Sequence, residues 1–444
     1  MLILGHGREG VCAAHWLSER GAVVTVADKQ TTSPSALEAS DPRITTEDVG
    51  LLDHTDLVVV SPGIPDSNPI LRSARTRVIP VTNSTRIFFR YCPCPIVGVT
   101  GSSGKSTTTS LISAILKTKG QAVSTGGNIG TPMLDLLTDL SANSIAVVEL
   151  SSFQLELGGV APHVAVVTNI SPNHLDRHGS IDAYIAAKRN IVTDQSGSDM
   201  AVLNGGDGTV REFAEGTQSE IFWFGMHRPT GPGTFVDGDW IVVDTGSGEN
   251  RVVRLDELQL PGWHNVENTL AAVAATHALG VDPSTMREGI VGFHGLPHRL
   301  DTIRVRDGIT FVDDSIATTP ERAAVGIRAL SGPLVLIAGG RSKHLPWTHV
   351  VEAAQDKVRA AVLIGEAANE IESAIRSSFR SNEVFTVHAE DMAQAVEVAR
   401  SLALHGDTVL LSPGCTSFDM FKDFEERGLA FASLVEEQID GSND

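Results

Sequence analysis

The chain has 444 residues, of which 41% are hydrophobic, and a formal net charge of −20. That length predicts about three domains with ample core. The acid excess speaks against a nucleic-acid partner or an anionic membrane surface, although a pocket's local field can still favour an anionic substrate.

No apolar run reaches the ~18 residues of a membrane span. The opening MLILGHG has neither the basic region nor the long apolar core of a signal peptide. Cys12, Cys92, Cys94 and Cys415 show no metal-ligand spacing, and Cys92-Pro93-Cys94 reads as too tight for an ordinary disulfide. A reducing cytoplasm fits this pattern.

Leu2-Ile3-Leu4 predicts a first strand, followed by Gly5-His6-Gly7-Arg8-Glu9-Gly10 and a helix to about Arg20. A second strand, AVVTVAD, ends at Asp28. GxGxxG between strand and helix, with an acid at the end of the next strand, is a dinucleotide fingerprint, because glycines let backbone approach phosphates closely. Read alone it says NAD, yet the turn can equally hold the diphosphate of another nucleotide. LVVVSPGI, residues 57–64, predicts a third strand whose Ser61-Pro62-Gly63 loop lies at the carboxyl edge, where such sheets bind ligands.

Ile96-Val97-Gly98-Val99 predicts a buried strand that breaks into Thr100-Gly101-Ser102-Ser103-Gly104 and then Lys105-Ser106-Thr107, opening a helix. This is a phosphate cradle: loop N–H groups and the helix N-terminus face the anion, Lys105 adds charge, and Ser106 is placed to ligate Mg²⁺. Val99 stands where the full GxxxxGK[ST] pattern has its first glycine. A dehydrogenase has no need of Lys105-Ser106, and a simple ATPase has no need of the first unit.

Downstream, Gly126 to Pro132, containing Asn128, predicts a tight loop. SIAVVELSSFQLE places Glu149 at a strand end, followed by Ser151-Ser152, the expected place for a Mg²⁺-binding acid. HVAVVTNISPNHLDRHGS runs from strand into a polar loop with His174, Asp176 and His178, and His174 is a candidate second ligand. Lys188 lies on the next helix, where a lysine is ordinarily a surface residue. Residues 201–260 read as strand-rich. Asn265 and Asn268, three apart at the start of an Ala-rich helix, share a face and either cap it or reach a nucleotide.

FHGLPHRLDTI, residues 293–303, predicts a linker carrying Arg299. Five strands follow: ITFVDD ending in Asp313-Asp314-Ser315, then PLVLIAGG before Arg341-Ser342-Lys343, VRAAVLIGE, VFTV and DTVLLSPG. They predict a second Rossmann-like sheet with polar loops at its carboxyl edge. The ending EEQIDGSND reads as a frayed tail.

TGSSGKST, GGNIGTP with VVELSSFQLE, NISPNHLDRHGS with AYIAAKRNI, PGWHNVENTLAA followed by GLPHR, and LLSPGCTSFDMFKDFEERG together resemble the Mur ligase family over essentially the whole chain. The resemblance implies an α/β fold of three domains. These are a Rossmann-like N-terminal domain for a UDP-linked substrate (1–91), a central P-loop ATP-binding α/β domain with extra strands (92–296), and a C-terminal Rossmann-like amino-acid domain (297–444). It further implies a cytoplasmic monomer that takes small-molecule substrates, ATP and Mg²⁺. The branch it points to adds D-glutamate to UDP-N-acetylmuramoyl-L-alanine through an acyl phosphate, in peptidoglycan precursor synthesis.

Residue roles follow as implications of that resemblance. Gly101, Ser102, Ser103, Gly104, Lys105, Ser106, Thr107, Asn265, Asn268, Arg299 and Asp314 match nucleotide positions. Ser106, Glu149, His174 and Lys188, the last as a carbamate, match metal ligands. Gly5, His6, Gly7, Arg8, Asp28, Ser61, Gly63, Asn128 and Ser151 match UDP-substrate positions. Lys343, Ser417 and Phe424 match positions around the incoming glutamate. Ile316 departs from the family's usual lysine, so a relative that adds L-glutamate is a second reading; Lys343 or Arg341 is then left to pair the side-chain carboxylate. A folylpolyglutamate-synthase-like ligase is a third reading, against which the N-terminal GxGxxG domain argues. A nucleotide-dependent switch without catalysis is a fourth.

Overall fold

The computed structural model describes residues 1–29, 43–260, 262–343, 345–355, 357–378 and 384–437. Residues 438–444 of the expected tail, Pro261 of the helix-start motif and the Asp176 side chain lie outside the described residues. The chain divides into two compact units, Met1–Phe293 and His294–Asp444.

The first unit carries two sheets. Strands β1 (Leu2–Leu4), β2 (Thr25–Asp28), β3 (Arg43–Thr46), β4 (Val58–Val60) and β5 (Val81–Thr82) form one sheet in the order β3-β2-β1-β4-β5. All its pairings are parallel. AVVTVAD, expected as one strand, pairs only over Thr25–Asp28. Arg43–Thr46 is an unexpected strand, a polar, four-residue edge without apolar alternation.

The second sheet holds β6 (Ile96–Thr100), β7 (Ala122–Gly127), β8 (Ser144–Glu149), β9 (Val164–Val167), β10 (Met200–Asn204), β11 (Glu220–Phe224), β12 (Gly233–Asp237), β13 (Trp240–Asp244) and β14 (Glu249–Arg254). Its order is β14-β13-β12-β11-β10-β9-β6-β8-β7. Its β12–β13 and β13–β14 pairings are antiparallel and the others parallel. Every residue of β8 is buried. The reason is two-sided packing: Ile145 and Val147 enter one core with the helix Lys105–Thr118, while Ala146 and Val148 enter the other with Ile191 and Trp16. Parallel strands covered by helices on both faces read as continuous apolar runs. Gly126 and Gly127, expected in a loop, instead end β7.

The C-terminal unit contains β15 (Asp301–Arg306), β16 (Ile309–Asp313), β17 (Leu334–Gly339), β18 (Val358–Ile364), β19 (Phe385–His388) and β20 (Thr408–Leu411), in the order β15-β16-β20-β17-β18-β19. The five expected strands are parallel, and β15 adds an antiparallel edge that begins in the last three residues of the expected linker and runs past it.

Candidate active site

β6 lies between β8 and β9, so the carboxyl ends of three neighbouring strands deliver Thr100–Lys105, Glu149 and Thr168–His174 to one edge. Glu149 pairs with Val99 in register, one residue before the loop begins. Gly101 (φ 145°) and Gly104 (φ 79°) adopt left-handed backbone. A Cβ at Gly101 would run into Thr168 Oγ1, and one at Gly104 into Asn268 Oδ1. The loop is stapled to the segment after β9: Ser103 N–H donates to Asn169 Oδ1 (3.0 Å), Thr168 Oγ1 to Ser103 O (2.6 Å) and Ser102 Oγ to Ser171 O (2.9 Å). Ser106 and Thr107 are buried in the first turn of Lys105–Thr118. Lys105 Nζ donates to Gly101 O (3.0 Å) and Ser102 O (3.2 Å), folding its charge over the loop. Ordered N–H groups at a helix start, with an ammonium above them, form an anion cradle.

Asn265 and Asn268 do not cap their helix. The N-cap of Trp263–Ala278 is Gly262, with no side-chain cap bond. Asn268 Nδ2 instead donates to Asn265 Oδ1 (3.1 Å), and Thr108 Oγ1 donates weakly to Asn268 Oδ1 (3.4 Å), which ties Asn268 to the phosphate-loop helix.

Glu149 is 1% exposed. Its Oε1 accepts from Asn128 Nδ2 at 2.6 Å, while Oε2 is sealed from solvent without a hydrogen-bond partner. A buried carboxylate oxygen left bare costs free energy unless a cation meets it. Lys188 is 2% exposed, unlike an ordinary helical lysine. Its Nζ donates to Gly101 O (2.8 Å) and sits 4.9 Å from the Tyr184 ring centroid. Burial pushes its ammonium down to about 6; Lys105 adds to the fall and Glu149 opposes it. Among the described residues no three His, Cys, Asp or Glu side chains gather as a metal nest. The donors at hand are the Glu149 carboxylate and the Ser106 hydroxyl, hard oxygens that fit Mg²⁺. His174 is exposed, with φ 53°, and its ring lies 5.2 Å from that of Phe153. The His178 side chain is the shielded one, stacked on Phe153 at 5.0 Å and sharing a hydrogen bond of 2.9 Å with Ser152 Oγ.

In the five-stranded sheet, Gly5 takes φ 96° and the His6 N–H donates to Asp28 Oδ2 at 2.7 Å. Ser61 Oγ donates to Gly5 O at 3.2 Å. Gly5, His6, Asp28 and Ser61 thus meet at one carboxyl edge. A Cβ at Gly10 would strike Gly5 O, the close helix–strand approach the fingerprint requires. Gly7 and Gly63 have open space around them. Arg8 opens the helix Arg8–Ser18 as an exposed residue. Ser151 N-caps the Ser152–Leu155 turn in a capping box with Gln154.

The C-terminal unit gathers a second polar edge. Asp314 follows β16, accepts from Ser412 Oγ (2.8 Å), and is pushed up to about 7 by burial. The Ser412 bond and the Arg299 charge oppose that rise. His298, outside the expected set, shares a 2.7 Å hydrogen bond with buried Asp313. Arg427, also unforeseen, is 1% exposed and donates to Ser315 Oγ (3.0 Å), Ser315 O (2.9 Å) and Cys415 O (3.2 Å). Ser315 Oγ donates to Phe424 O (2.8 Å), so the loops bearing Asp314, Ser417 and Phe424 are bound together. Ser417 is buried. Lys343 is solvent-exposed, its ammonium lowered by partial burial and by Arg322. Arg341 makes two bonds to Glu366, of 3.0 and 3.1 Å, so its charge is already engaged.

Three family models match in chain order: the Mur ligase MurD-like N-terminal domain at residues 1–83, the Mur ligase middle domain at 99–276, and the Mur ligase glutamate ligase domain at 298–415. UDP-N-acetylmuramoylalanine–D-glutamate ligase of Symbiobacterium thermophilum is 40% identical, with 98% of this chain and 97% of that protein covered. The chain belongs to the Mur ligase family. The enzyme of the same name from Pelotomaculum thermopropionicum is 37% identical over 98% of this chain and 97% of that one. Among solved structures, UDP-N-acetylmuramate-alanine ligase MurC from Thermotoga maritima aligns with a TM-score of 0.60 at 19% identity, covering 98% of this chain and 99% of that one. MurF from Acinetobacter baumannii aligns at 0.59 and 21%, covering 87% and 86%. These two establish likeness of fold. Among the described residues, no helix is long and apolar enough to cross a membrane.

Proposed function

We propose that this Mur ligase joins D-glutamate to UDP-N-acetylmuramoyl-L-alanine with ATP, as a cytoplasmic monomer with the three domains 1–91, 92–296 and 297–444. The observation that carries the reading is the single edge holding the phosphate loop, the bare oxygen of Glu149 and buried Lys188, in a chain 40% identical throughout to a ligase of that name. A carboxylate is a poor acyl donor. Attack by the alanyl carboxylate on the γ-phosphate gives an acyl phosphate and ADP, and the glutamate amine then displaces phosphate at the acyl carbon. Loop N–H groups and Lys105 hold the ATP phosphates and spread their charge. Gly5, His6, Gly7, Arg8 and Asp28, with Ser61 and Gly63, take the UDP end; Asn128 and Ser151 take the substrate near Glu149. Ser106 and Glu149 would hold one Mg²⁺, and His174 with carbamylated Lys188 a second, which supply charge neutralisation at the phosphates. A lysine buried enough to be uncharged near neutral pH has the free amine that carbamylation needs. Lys343, Ser417 and Phe424 receive glutamate.

The test is phosphate release from ATP with UDP-N-acetylmuramoyl-L-alanine and either glutamate isomer. Release with D-glutamate alone is expected. Release with L-glutamate alone transfers the chain to the second reading and makes Ile316 the suspect. No release with either isomer removes the substrate assignment.

A further inference from the structure

Glu9 is a carboxylate inside the glycine-rich turn, and nothing so far gives it a role. It stands in the first turn of Arg8–Ser18, where the helix N-terminus favours a negative charge. Its Oε1 accepts from Gln154 Nε2, while Oε2 is sealed from solvent without a partner. Burial pushes its carboxyl up, against the opposing pull of Gln154, Arg8 and Ser84. The Gln154 amide is committed on both sides. Its Oε1 accepts from Ser151 N–H (2.8 Å) and Ser151 Oγ (3.0 Å), closing the capping box that begins two residues after Glu149. Gln154 O accepts from Asn83 Nδ2 (3.0 Å), and Asn83 N-caps the helix Ser84–Tyr91. The Gln154 side-chain amide therefore joins two helix starts, that of the glycine-rich turn and that beside Glu149, while the Gln154 backbone carbonyl holds the cap of a third.

We infer that Glu9 is a positioning residue: through Gln154 it ties the glycine-rich turn to the Ser151 cap, holding the substrate's UDP end in register with the carboxylate to be activated. The inference rests on the proposed function. A purely structural staple would need no carboxyl group there, since an amide acceptor would satisfy Gln154 without burying an acid oxygen that has no hydrogen bond.

The test is an exchange of donor and acceptor. Gln154→Glu sets two carboxylates face to face, and is expected to raise KM for the UDP substrate about tenfold while KM for ATP holds. Adding Glu9→Gln to it restores an amide–carboxylate pair and should recover most of that loss. Glu9→Ala should raise the same KM and lower kcat, again sparing KM for ATP. A double exchange no better than Gln154→Glu alone, or KM values for all substrates moving together with the melting temperature, overturns the inference. Wild-type protein titrated with UDP serves as the control. Absence of UDP binding and of turnover in wild type overturns the functional reading itself, whereas an active wild type with an additive cycle overturns only the tie.

Discussion

The carboxyl edges of the nine-stranded and six-stranded sheets each offer a buried acid and a lysine, and only the first edge buries the lysine as well. At the first edge the lysine is the anomalous group: Lys188 is 2% exposed and falls to about 6. At the second it is the acid: Asp314 rises to about 7 in its buried niche, while Lys343 stays at the surface. Residue type alone does not tell these edges apart; solvation does. A buried amine that loses its proton near neutrality is suited to being modified. An exposed ammonium is suited to meeting a carboxylate that arrives from solvent.

Four predictions break or sharpen that contrast. Lys105→Ala should lower phosphate release by about 10³-fold or more, because it removes the cation of the cradle; near-wild-type release would take the loop out of the chemistry. Lys188→Ala should lower kcat by about 10²-fold with partial rescue by a short added carboxylate, whereas Lys343→Ala should act on KM for glutamate. Equal behaviour of the two lysines would erase the distinction.

The third prediction concerns stability and pH. Folded Lys188 releases its proton near 6, the unfolded chain near its ordinary 10.5, so between those values the unfolded chain binds more protons and stability rises with pH. Folded Asp314 holds its proton to about 7, the unfolded chain only to its ordinary 3.8, so stability falls as pH rises through that window. Urea titrations should show Lys188→Met flattening the alkaline slope and Asp314→Asn flattening the acid one. Variants that leave both slopes intact would contradict these solvation states. The smallest effect is expected from Arg341→Ala. Its guanidinium already faces Glu366 on the surface, where solvent screens such pairs and leaves them weak, so KM for glutamate should move by about twofold at most. A tenfold rise would show that Arg341 leaves Glu366 for the substrate.

Much of this was legible in the residues. Period-2 and continuous apolar runs marked most strands, and the glycines at 101 and 104 announced a turn that the structure shows only glycine can make. Glu149 was placed by its position at a strand end. What escaped depends on long-range contact. The burial of Lys188 follows from Tyr184 and the Gly101 carbonyl closing over it, 87 residues away in the latter case. Glu9 looked like one more residue of GxGxxG until Gln154, 145 residues on, was seen to hold it. His298 and Arg427 bond to partners 15 and 112 residues away, and no local pattern carries that information. The edge strand β3, polar and four residues long, lacks the alternation that betrays a strand, and β15 straddles the end of the Gly-Leu-Pro stretch that reads as a linker.

Activation of the alanyl carboxylate by ATP as an acyl phosphate is tested most directly with UDP-N-acetylmuramoyl-L-alanine carrying ¹⁸O at both oxygens of that carboxylate. Turnover with ATP and D-glutamate should place one ¹⁸O in each phosphate released. Turnover that releases unlabelled phosphate would contradict it.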